Sequence, residues 1–189
     1  MKKILLLTAF LFIANTNFAL DKPRDGYQNY LYSLNLVSKL FSRLSENADL
    51  IAHKPGRLSF ANFAVNFNKK VRVLIINQNN LINLINKSGF KDHHFPNSLR
   101  VMQTNVVDLK KILLDSRPLI DNLSIPDFNS AGIYDKLNLR MYENDELLRQ
   151  ILKNRGKAFK RKVVDNLSQS VVILNECHGK VAALYSKIK

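Results

Sequence analysis

Apolar side chains recur at steps of three and four along four long stretches of this sequence, a period that fits amphipathic helices and no other regular structure. In the first stretch Tyr27, Tyr30, Leu34, Val37, Phe41, Leu44, Ala48 and Ile51 share one face, opened by the capping pair Asp25 and Gln28 and closed by Pro55 and Gly56. The second, from about Ser59 to Ile85, aligns Phe60, Phe63, Phe67, Val71, Leu74, Leu81 and Ile85, with Gln78 as a polar residue in the same row. A lone polar residue in such a seam fixes register or holds a water. Val71 to Ile76 and Val171 to Ile173 are rich in β-branched residues. Each lies inside a longer helical period with no Gly or Pro to bound it, so helix is expected there.

The third stretch starts at Pro96 with Asn97 or Ser98 and repeats Leu99, Met102, Val106, Leu109, Leu113, Ile120 and Leu123, with Ser116 in one slot. Pro118 interrupts it, because a proline ring excludes the carbonyl four residues earlier, so the helix should kink or stop near Asp115. Residues 126–143 lack periodicity and read as a connection with a short helix, and Asn144 can cap a further helix that Asp145 and Glu146 favour electrostatically. The last stretch carries Val163, Leu167, Ser170, Leu174, Cys177, Val181, Leu184 and Ile188 to the C-terminal end.

Four helices of roughly 27 residues, each ~40 Å long, cannot hide their stripes alone. The expected fold is therefore all-α: an antiparallel, up-down-up-down four-helix bundle of long amphipathic helices, with a short extra helix in the connection before the last one. Residues 1–19 stand apart from it. Lys2 and Lys3, then the apolar run Ile4 to Ala14, then a polar exit ending at Ala19, match a secretory signal peptide cut after Ala19. The run is too short to span a membrane. Residues 20–189 then form a single domain, secreted or periplasmic, with no transmembrane anchor. Cys177 is the only cysteine, so an intramolecular disulfide is excluded and packing must supply the stability.

The formal charge is +14, or +12 once Lys2 and Lys3 are removed. Outside the cytoplasm nucleic acid is not the expected partner. Such a surface meets anionic envelope lipid or polymer, or an acidic protein. Its densest cluster is Lys153, Arg155, Lys157, Lys160, Arg161 and Lys162, uninterrupted by any acid and flanking Phe159, which could enter a lipid interface beside it. Lys69, Lys70 and Arg72 read as the outer face of the second helix.

Motifs for chemistry are sparse. Gly-x-Ser-x-Gly, phosphate-loop, dinucleotide and His-Glu-x-x-His patterns are absent, as is any helix-borne Glu-x-x-His, so no enzyme activity, catalytic residue or resident cofactor is expected. Asp92, His93 and His94 are the one cluster with metal-ligand chemistry. Cys177 followed by His178 near the end of a helical bundle resembles the haem attachment of cytochromes c-prime, with Leu174 where that family has its first cysteine. The resemblance implies one thioether at Cys177 and an axial ligand at His178. A bundle carrying haem or an internal lipid, with Ser116, Ser170 and Cys177 making room for it, is thus the alternative to a basic binding protein. A secreted effector or inhibitor docking on one protein is another.

Overall fold

A computed structural model describes residues 26–125, 130–137 and 157–189, and all its regular structure is helical. The helices are α1 (Gly26–Glu46), α2 (Ala48–Ala52), α3 (Arg57–Ser88), α4 (Phe95–Asp115), α5 (Arg117–Asp121), α6 (Ser130–Leu137) and α7 (Lys157–Ile188), with a 3-10 turn at Gly89–Lys91. The leader, the Asp25 and Gln28 capping pair and the Asn144 cap lie outside the residues and side chains described.

Local chemistry explains where each helix ends. α1 and α2 are parted only by Asn47, whose amide Nδ2 donates to the Arg43 carbonyl at 2.9 Å, and the apolar row runs on through buried Ala48 and Ile51. α3 ends at Gly89, whose φ of 70° lies in the left-handed region that a side chain disfavours. The two β-branched runs lie within α3 and α7, as their helical period requires. α4 stops at Asp115, three residues before Pro118. Pro118 then sits in the first turn of α5, where its missing N–H leaves no helical bond unmade.

The expected stripes form the core. Phe41 of α1 meets Phe67 of α3 at 4.6 Å between ring centroids, and Phe63 and Phe60 extend that aromatic row. At the other end Phe90, Phe95 and Phe159 gather where α3 finishes and α4 and α7 begin. α3 is the central element, packing on both α4 and α7, while α1 packs on α7 and the short α6.

One relation differs from the up-down-up-down expectation. Tyr30 lies across from Ser170, whereas Ser38 and Ser45 further along α1 both bond to Lys180. α1 and α7 therefore run in the same direction, each opposed to α3, whose Gln78 meets Ser170 and whose Asn86 meets Lys160. The stripes specify which faces are buried. They do not specify direction.

Candidate functional site

α3 is apolar on two faces. Opposite its core stripe, Leu58, Val65 and Ile76 project outward at 67%, 46% and 56% exposure, with Lys69 and Arg72 set among them. The steps 58, 65, 69, 72, 76 keep all five within one side of the helix. Such an exposed apolar row on the helix face opposite the core stripe is a candidate contact surface. Its cations are unneutralised: among the described residues neither Lys69 nor Arg72 has an acidic partner, whereas Lys70 is tied to Asp108 of α4 at 2.9 Å.

The face opens into two grooves. The larger, about 590 Å³, runs between α3 and α7 over Ala64, Val73, Val181 and Ala182, with Lys69 and Arg72 on one rim and His178 and Tyr185 on the other. No carboxylate lines it. Asn68 contributes a buried Oδ1 with no hydrogen-bond partner to this wall. The second groove, about 570 Å³, lies between α3, α4 and α5 and is lined by Asp115 together with Lys70 and Lys69, which borders both grooves. The first groove has cations and no carboxylate in its lining, whereas in the second a carboxylate stands among the cations.

The 153–162 cluster occupies a separate place. Lys153 and Arg155 lie outside the described residues, as does the Lys157 side chain. Lys160 donates to the Asn86 carbonyl at 3.2 Å, and Arg161 stands 3.8 Å from Asp165 in an exposed pair. Phe159 is half-buried against the core beside Phe90, which places it in packing rather than at a free edge. Asn86 is fourteen positions past Arg72 on α3, or ~21 Å, so the groove and this cluster are distinct basic regions.

The adjacent Cys177 and His178 diverge. Cys177 is fully buried toward α1, where loss of solvent pushes its thiol up to about 12 despite nearby Lys180 and Ser38. His178, a further ~100° round the helix, faces the groove. A haem held by both would need one cavity that both reach, and Cys177 lines neither groove, so these residues do not fit that group. Of the small stripe residues, Ser116 lines the second groove, and both it and Ser170 have a polar side-chain partner. Ser170 donates to Gln78 Oε1 at 2.6 Å, and Gln78 Nε2 donates to the Tyr30 hydroxyl at 2.5 Å. Ser116 lies 3.0 Å from the hydroxyl of Tyr134, and burial pushes that phenol up to about 12.

Asp92, His93 and His94 do come together. Their ligand atoms lie within 4.8 Å of one another, and small rotations of two exposed rings would let them share an ion. The Asp92 carboxylate accepts the His94 backbone N–H at 2.9 Å, and that bond holds its pKa below the usual value. These groups also serve an ordinary purpose at the turn into α4.

The interior was legible in the sequence, since Gln78 stood out as the polar member of its stripe. The outward row was missed because Lys69 and Arg72 were read as solvated cations. The signal that finds it is a second heptad-like spacing joining them to Leu58, Val65 and Ile76. No family model, curated protein or solved structure matches this chain.

Proposed function

We propose that this is an exported, non-enzymatic protein in which the four long helices form one bundle that captures an anionic component of the cell envelope through a basic surface. The observation that supports it best is the pair Lys69 and Arg72, cations without acidic partners among the described residues, set in an exposed apolar row. Lipid interfaces and anionic polymers combine with that arrangement, since charge draws the surface in and apolar side chains add contact once it arrives. The net charge of +14 extends the attraction over the whole molecule. Export rests on the leader-like residues 1–19, and no helix among the described residues is long and apolar enough to cross a membrane.

Flotation with phosphatidylglycerol vesicles, compared with phosphatidylcholine vesicles, tests this reading. Binding should be selective for the anionic lipid and fall at least tenfold between 50 and 500 mM salt, because the Debye length shrinks from about 14 Å to about 4 Å. Lys69→Gln with Arg72→Gln should weaken it, as should Lys160→Gln, Arg161→Gln and Lys162→Gln together. Equal binding to both vesicles, or binding indifferent to salt, would sink the proposal.

A further inference from the structure

We infer that the groove between α3 and α7 takes a single-chain anionic amphipath, its hydrocarbon chain laid along Ala64, Val181 and Ala182 and its acidic head group held by Lys69 and Arg72. The inference rests on the proposed capture of anionic envelope material and names the chemical class of its ligand. Shape decides first. From Ala64 to Ile76 the groove follows twelve residues of α3, ~18 Å at 1.5 Å per residue. An extended hydrocarbon chain can lie along that length against the apolar lining. The volume also falls within the ~300–1,000 Å³ of ordinary small-ligand sites.

Chemistry decides second. Ala64 of α3 and Val181 and Ala182 of α7 are small apolar members of the lining, so a chain can lie close to the backbone. Lys69 and Arg72 stand three apart on one side of α3, close enough to share one carboxylate or phosphate. Arg72 supplies a planar fork for two oxygens and Lys69 a point charge. No acid in the lining competes for them. Charge complementarity therefore selects an anion at the rim while the floor selects a chain.

The probe is dodecanoate, kept below its micelle concentration and titrated calorimetrically into the purified full-length protein. Saturable binding of one dodecanoate per chain is expected, with uncharged dodecanol at least tenfold weaker and acetate without measurable affinity. Ala182→Phe, at an exposed position on the groove, should reduce dodecanoate affinity at least tenfold, whereas the exposed control Val107→Gln on α4 should leave it within twofold. Lys69→Gln with Arg72→Gln should reduce both dodecanoate and phosphatidylglycerol-vesicle binding. Circular dichroism and the urea midpoint confirm that each variant is folded. Vesicle binding without saturable dodecanoate binding would overturn the groove assignment and leave anionic capture standing, and loss of both in the unmodified protein would overturn both. Dodecanoate binding unaffected by Ala182→Phe, or binding of an acidic amphipathic helical peptide in place of dodecanoate, would also overturn the assignment.

Discussion

Gln78 and Ile76 stand two residues apart on α3 and invert the usual arrangement, with the amide fully buried and the isoleucine 56% exposed. Their surroundings separate them. Gln78 is tied on both sides, donating to Tyr30 of α1 and accepting from Ser170 of α7, so three helices meet at one satisfied polar point. Ile76 lies on a groove beside cations that no acid among the described residues neutralises. A buried exception whose hydrogen bonds are complete specifies how helices pack. An exposed exception without cover marks where the molecule meets something else.

The sharpest test of the interior half is Gln78→Ala. It removes both hydrogen bonds of the amide and leaves a cavity, for a loss of about 3 kcal/mol in urea unfolding. Replacing the whole seam by Tyr30→Phe, Gln78→Leu and Ser170→Ala should recover most of that loss, since no polar group is then left unpaired. A Gln78→Ala protein within ~0.5 kcal/mol of the parent would show that the seam is incidental, and the comparison would collapse.

Cys177 sharpens the same half through pH. Burial raises its folded pKa from 9.0 to about 12, so the folded protein keeps the proton that the unfolded chain releases. The stability is fully present below pH 9 and declines as pH rises from there toward 12, with about 1.4 kcal/mol lost by pH 10. Cys177→Ala should abolish that first decline. Tyr30 and Tyr134, both buried phenols with raised pKa, add their losses only above the ordinary tyrosine range. Equal stability of the parent at pH 8 and pH 10 would show that the thiol is not sealed from solvent.

Gln78, Ser170 and Cys177 were visible as members of their stripes because burial follows the helical period, and that period is written in the order of residues. The stop at Asp115 was visible because Pro118 acts locally. Direction was not, for a stripe looks the same from either end, and only contacts such as Ser45 with Lys180 show that α7 runs with α1. Tyr134, which meets Ser116, was missed because its eight-residue helix is too short to display a period. The groove was missed for a related reason. Lys69 and Arg72 fit a solvated face equally well until Val181 and Ala182 of α7 are seen beside them.

Ile76→Gln tests the outer half, and its expected effect on stability is the smallest. The side chain buries little area against the core, so its replacement should change the unfolding free energy by less than ~0.5 kcal/mol, as is usual at the surface. Any protein with an incidental exposed isoleucine would give that result. The distinguishing measurement is therefore made on vesicles, where the same substitution should weaken phosphatidylglycerol binding severalfold at constant charge. Apolar contact adds to electrostatic attraction only where the side chain enters the interface, so an exposed control, Val107→Gln on α4, should change neither stability nor binding. If Ile76→Gln costs more than ~1 kcal/mol of stability, the residue belongs to the core after all. If the two substitutions alter binding equally, the outward row of α3 is ordinary surface, and the contrast with Gln78 is one of position without consequence.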